Sequence, residues 1–287
     1  MYKNRIQTCC ELPNDLLGVN KELNDYDFVL YHLFISNQKY HDYYLDLSRN
    51  TSRTIIFDNS AYEFFIKGAK LDIPQFMDAI QELHPQIALL PDVLMAKETT
   101  IQGVKECLHM NPGSYIPQWM AVVQGNSTRE FLECINVYKE LGIKNIAIPF
   151  HNTFLKEDLF ERGEAHIENM WRLKFSRITE DMRYALGRIE LVWEIWGYLR
   201  GFDRIHFLGS HNPYEKVYLE QILGNDHFAN TTISMDTGYP TKVALEGYAL
   251  FEEPSKPEVI LDDFIDEEIA DMDRSLIISN VQKFHDL

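Results

Sequence analysis

The chain has 287 residues, 45% of them hydrophobic, and 27 Lys and Arg against 44 Asp and Glu give a formal net charge of −17. That length can bury one large core or two small ones, and α/β barrels commonly fill this range as a single domain. The acidic excess argues against a broad non-specific nucleic-acid surface, and no run approaches the ~18 apolar residues that a membrane span needs.

The first residues, MYKNRIQTCCELPND, lack the apolar stretch of a secretory leader. A soluble, cytoplasmic protein is the expectation. Cys9, Cys10, Cys107 and Cys134 form no C-x-x-C pair. Reduced thiols, no structural zinc or other metal, and no cofactor are therefore expected.

Short apolar runs recur along the chain: FVLYHLF (28–34), TIIF (54–57), IALLP (87–91), WMAVV (119–123), NIAIP (145–149), IHFL (205–208) and TTISM (231–235). Segments with helical spacing separate them. IPQFMDAIQEL follows Asp72, TTIQGVKECLHM follows the third run, and STREFLECINVYKEL carries apolar residues at 131, 132, 135 and 138 with Gly142 beyond its end. Continuous apolar strands alternating with helices mean parallel strands buried on both faces. The expected fold is an α/β, (β/α)8 TIM barrel, with YALF at 248–251 as the eighth, poorly marked strand. A doubly wound open sheet is the runner-up.

The longest gap, 151–204, lies between the fifth and sixth runs and reads as a helical insertion. Its stretch 171–204 holds Arg172, Lys174, Arg177, Arg183, Arg188, Arg200 and Arg204 against five acids, the best local basic candidate. Residues 1–251 are taken as the barrel domain and 252–287 as an acidic C-terminal segment. Within the latter, 252–274 carries ten acidic and two basic side chains.

Polar residues follow several of the runs. Asp58 ends TIIFD, Asp92 follows IALLP, Gln124 and Gly125 follow WMAVV, Gly209, Ser210 and His211 follow IHFL, and Asp236 follows TTISM. One such Asp reads as a turn cap, since Asp bonds its own backbone two residues on, and Asp92 reads equally as the N-cap of VLMAKETT. Three carboxylates and an amide at the C-terminal ends of different strands instead match where a barrel builds its active site.

These residues also carry a family resemblance. Asp58-Asn59-Ser60-Ala61-Tyr62-Glu63 resembles the D-S-G-G-F-Q of the guanine transglycosylases, the queuine and archaeosine tRNA-ribosyltransferase superfamily. Val123-Gln124-Gly125 is similar to its V-Q-G, with Leu141-Gly142 after the following helix. Phe207 to Glu215, FLGSHNPYE, is similar to L-M-G-V-G-x-P-E, and Met235 to Lys242, MDTGYPTK, matches F-D-C-V-x-P-T-R in spacing. Two features depart from the tRNA enzymes. No C-x-C-x-x-C…H zinc site follows Cys134, and Ile148-Pro149-Phe150 stands where they have G-G-L. A shorter, zinc-free chain most resembles the phage and bacterial 7-deazaguanine DNA transglycosylases.

The resemblance implies a DNA guanine transglycosylase exchanging guanine for a base such as 7-cyano-7-deazaguanine. It implies Asp236 as covalent nucleophile, Asp58 as proton-transfer group and Asp92 as reader of the guanine edge. Gln124, Gly125, Gly209, Tyr62 and Lys242 would complete substrate binding, with Tyr62 or Phe150 stacking on the base. DNA and the free deazaguanine are the implied partners; a protein partner or homo-oligomer stays open. The alternatives are a tRNA-acting relative, a hydrolase releasing a base from a nucleoside, and a non-enzymatic nucleic-acid-binding barrel.

Overall fold

The computed structural model describes residues 5–110, 113–150, 180–224, 226–252 and 257–287. Eight strands appear: β1 (Gln7–Cys10), β2 (Asp27–Leu30), β3 (Ile55–Asp58), β4 (Ile87–Leu89), β5 (Gln118–Val122), β6 (Asn145–Ile148), β7 (Arg204–Phe207) and β8 (Thr232–Thr237). All pairings are parallel and run β1-β8-β7-β6-β5-β4-β3-β2. Helices connect successive strands, so the architecture is a (β/α)8 barrel. Ile55, Ile56 and Phe57, like Ile146, Ala147 and Ile148, are fully buried, as strands covered on both faces require.

The two end strands of this order meet without a β-ladder. Asn24 and Asp25, just ahead of β2, satisfy the free edge of β1 instead. Thr8 N–H donates to Asp25 Oδ2 (2.8 Å) and Cys10 N–H to Asn24 Oδ1 (2.7 Å), while Asn24 Nδ2 donates to the Cys10 carbonyl (2.9 Å). Side chains here imitate a neighbouring strand, which answers the cost of an unpaired buried backbone. Across the interior, Phe28 of β2 stacks on His206 of β7 with ring centroids 5.1 Å apart.

Three expectations are corrected. The missing strand is β1, QTCC, whose composition gives no apolar run. The stretch 248–251 is not a strand, because Asn280 locks it as a loop: Leu250 N–H donates to Asn280 Oδ1 (2.8 Å) and Asn280 Nδ2 to the Tyr248 carbonyl (3.0 Å). The run 28–34 is only half strand, since Tyr31–Ser36 is helical. A continuous apolar run cannot by itself separate a buried strand from a buried helical turn.

With β1 counted, the long gap falls between β6 and β7. Its helix Glu180–Ile195 packs beside helices Thr128–Glu140 and Pro213–Leu223, the normal place of a β–α–β helix in the barrel's outer layer. Residues 151–179, with Arg172, Lys174 and Arg177, lie outside the described residues. Helix Asp271–His285, at the end of the acidic segment, buries Ile277, Val281 and Phe284 in the same core as the strands. Among the described residues, no helix is long and apolar enough to cross a membrane.

Candidate active site

A cleft of about 1280 Å³, counting its open mouth, sits at the C-terminal ends of the strands. Asp58, Asp92, Gln124, Gly209, Tyr62, Lys242 and Asp236 all line it, so seven of the eight expected site residues meet in one place. The eighth, Gly125, does not line the cleft. A Cβ there would lie 2.8 Å from Glu130 Cβ, so this glycine lets the loop after β5 pass close to helix Thr128–Glu140.

Asp236 lies on β8, paired in register with Cys9 of β1. Its Oδ1 accepts from the Gly209 N–H (3.0 Å) and faces His206 Nε2 at 3.1 Å. Among the described residues no hydrogen-bond donor reaches Oδ2. His206 is fully buried, and burial holds its pKa below the ordinary histidine value. Its Nδ1 stands 3.0 Å from Ser234 Oγ. The network is satisfied by a neutral ring that donates from Nε2 to Asp236 and accepts at Nδ1 from the serine.

Asp58 ends β3, where its Oδ2 accepts from the Ser60 N–H (2.7 Å). The turn-capping reading of this Asp is thus correct as geometry, but the carboxyl also faces the cleft. Ser60 adopts the left-handed conformation, φ 55° and ψ 35°, which costs a non-glycine residue ~1–3 kcal/mol and persists only where surrounding bonds hold it. Burial raises the Asp58 pKa well above the carboxylate range, with the nearby charges of Glu63, Asp236 and Asp92 adding to the effect. A protonated Asp58 can deliver a proton.

Asp92 is not the helix N-cap that its sequence position allowed. The next helix starts at Lys97 with Ala96 as its N-cap residue. Asp92 Oδ1 accepts from Asn59 Nδ2 (2.9 Å) and Oδ2 from Gln124 Nε2 (2.8 Å). Gln124 is fixed in turn by the Met95 N–H on its Oε1 (2.9 Å), and Asn59 by its donation to the Leu90 carbonyl (2.8 Å). Burial raises the Asp92 pKa against the lowering effect of those two amides. Each oxygen keeps a further lone pair, so the carboxylate can still accept from a ligand.

The sequence reading missed three further carboxylates in the lining: Glu11, just after β1, Glu63 and Asp262. Burial and the Asp236 charge push the Glu11 pKa up to about 8, against the pull of Lys242. Glu11 carries no local signal because QTCC, the strand before it, has no apolar run, and Asp262 sits in an acidic run whose composition is that of a solvated face. Lys242 is the one Lys or Arg among the described lining residues. Phe150 is also in the wall and stacks on His211, with centroids 4.7 Å and planes 14° apart.

Three described residues of the basic stretch 171–204, Arg188, Arg200 and Arg204, are engaged away from the cleft lining. Arg188 is fully buried and pairs with Glu215 through Nε (2.6 Å) and Nη2 (2.8 Å). Arg204 begins β7, at the end opposite the cleft, where it donates to Gln7 (3.2 Å), and Arg200 stacks over Trp196. No group of three or more His, Cys, Asp or Glu among the described residues is placed to hold a metal ion.

No protein-family model and no curated protein matches the chain. Among solved structures, it is similar to a protein assigned as a fructose-1,6-biphosphate aldolase from Coccidioides immitis, 10% identical, with a TM-score of 0.49 over 99% of this chain and 91% of that one. It is also similar to the arginine decarboxylase of Paramecium bursaria Chlorella virus, solved with agmatine, 13% identical, with a TM-score of 0.42 over 82% of this chain and 58% of that one. Likenesses this distant say nothing of chemistry. The barrel itself is read from the strand order.

Proposed function

We propose that this chain is a guanine transglycosylase acting on DNA, exchanging guanine for a 7-deazaguanine base. The observation that carries this reading is the pairing of roles in one cleft. Among the described residues, Asp236 has its two donors on Oδ1 and none on Oδ2, while Asp58, biased toward its protonated form, lines the same cleft. A nucleophilic carboxylate and a separate proton carrier are what a retaining displacement at a sugar carbon needs.

In the first half-reaction Asp236 Oδ2 bonds to C1′ as the C1′–N bond to guanine breaks. The bonding pair stays with the base, and Asp58 supplies the proton that neutralises it. In the second half the incoming base gives its ring N–H proton to Asp58 and bonds to C1′, and the Asp236 ester oxygen leaves with its electron pair. The Asp236 carboxylate, facing the sugar, favours the positive charge that builds on it in both steps. Asp92, held rigid by Asn59 and Gln124, accepts from the N1–H and 2-amino group of the guanine edge. Tyr62, which is exposed, provides a ring face for the base, and Lys242, the one Lys or Arg among the described lining residues, is the group to meet a phosphate or sugar oxygen.

DNA is proposed over tRNA because Asn59-Ser60-Ala61-Tyr62-Glu63 resembles the first motif of the DNA enzymes more than the S-G-G-F-Q of the tRNA enzymes. Flipping the target base costs a few kcal/mol, least in single-stranded DNA. Digesting DNA from cells that express the protein and analysing its nucleosides by mass spectrometry tests the reading. A 7-deazaguanine nucleoside that disappears with Asp236→Asn is expected; label entering tRNA transcripts and not DNA would reject the substrate while sparing the chemistry.

One lysine against six acids among the described lining residues favours one second reading, release of a base from a free nucleoside by water. Base liberated from nucleosides with no transfer to any incoming base would establish it.

A further inference from the structure

A chain of hydrogen bonds links the acidic C-terminal segment to the turn that carries Asp58. His32 Nε2 lies 3.2 Å from Asp262 Oδ2, and His32 Nδ1 lies 3.0 Å from Ser60 Oγ. The Ser60 hydroxyl also accepts from the His32 backbone N–H (3.1 Å), and the Ser60 N–H donates to Asp58. One proton arrangement satisfies every link: the serine hydroxyl donates to Nδ1, and Nε2–H donates to the Asp262 carboxylate. Despite its Ser–His–Asp composition this is no nucleophilic site, because Ser60 is fully buried and cannot meet a substrate.

The segment around Asp262 is itself anchored. Asn14 N–H donates to the Ile265 carbonyl (2.9 Å), and Asp266 accepts from the side chains of Asn14 (2.8 Å) and Asn37 (2.7 Å). Ile260 and Leu261, next to Asp262, form part of the cleft wall. Ser60 therefore holds its left-handed conformation through a link whose far end is fixed to the barrel.

We infer that Asp262, acting through His32 and Ser60, is a positioning residue for Asp58. The acidic segment thereby serves as one wall of the site and as the brace of its proton carrier. This inference rests on the proposed role of Asp58. Asp58 is faced by Glu63 from the helix after its turn, Asp236 from β8 and Asp92 from the loop after β4; Asp262 is faced by His32 and by Lys67 at 3.6 Å.

The test compares Asp262→Ala with Asp262→Asn in the full-length protein. Asn keeps an oxygen that accepts from His32 Nε2, and Ala does not. Hydrogen exchange across residues 57–64 should quicken roughly tenfold in Asp262→Ala and stay near wild type in Asp262→Asn. In base exchange, Asp262→Ala should lower kcat about tenfold at unchanged KM. Its pH profile should move upward, because a loosened Ser60 N–H stabilises the Asp58 carboxylate less. Unchanged exchange in Asp262→Ala, or equal effects in both variants, would overturn the inference. If the wild type performs no base exchange, the proposed function fails on its own and the hydrogen-exchange comparison still decides this one.

Discussion

His206 and Asp236 meet across adjacent strands, Nε2 3.1 Å from Oδ1, with the imidazole fully buried between the carboxylate and Ser234. Two contacts on one carboxylate oxygen set the plane of the group, and the proposed mechanism uses the other oxygen, Oδ2, for attack.

His206→Phe keeps a ring against Phe28 and removes the donor to Asp236. A hydrogen bond to a charged group contributes about 1.5–3 kcal/mol, so the chemical step should slow by roughly 10- to 150-fold. Single-turnover kinetics measure this. Ser234 also loses a buried partner, so thermal melting should fall by the equivalent of ~1 kcal/mol or more.

Asp92→Ala should do more than broaden base selection. It removes the acceptor of one N–H on each of the buried amides Asn59 and Gln124, and each N–H left unpaired costs about 1–3 kcal/mol. Asp92→Asn should not rescue it, because the new amide turns a donor toward one of two existing donors. Denaturant unfolding of both variants checks the stability loss, and competition between guanine and adenine in base exchange checks the selectivity.

Most of the barrel was legible because buried parallel strands are written as apolar runs: all seven runs overlap a strand, and 87–91 and 145–149 each contain one whole. β1 was not, since its edge is satisfied by Asn24 and Asp25 rather than announced by β-branched residues. The site followed the same divide. Asp58, Asp92, Gln124, Gly209 and Asp236 stand at the ends of readable strands. Glu11 stands at the end of an unreadable one, and Asp262 reaches the cleft from more than 200 residues beyond its partner His32. Long-range bonds of that kind leave no local signal.

Glu11 gives the pH dependence a definite sign. Its folded pKa, about 8, lies above its ordinary value of 4.5, so the folded state binds a proton that the unfolded chain releases. Stability from this group is complete below pH 4.5 and is lost as pH rises to about 8. His206 and His285, lowered by burial, act oppositely below the ordinary histidine pKa of 6.5, which leaves the stretch from there to about 8 the cleanest window. Glu11→Gln should flatten the fall in melting temperature across that window and change little at pH 4, as calorimetry at a series of pH values would read.

Gly125→Ala should destabilise the fold without touching the chemistry. The new methyl meets Glu130 Cβ at 2.8 Å and the start of helix Thr128–Glu140, and overpacking of this kind typically costs ~1–3 kcal/mol. Kinetics per folded molecule should match wild type, whereas a lost kcat in fully folded protein would return Gly125 to the site.

The most direct measurement is the intact mass of denatured protein after incubation with guanine-containing single-stranded DNA and no incoming base. The predicted result is a protein carrying the DNA strand through an ester that maps to Asp236, absent from Asp236→Asn. A wild-type protein that releases or exchanges guanine while its adduct maps to another carboxylate, or while Asp236→Asn remains fully active, would contradict the assignment of Asp236 as nucleophile.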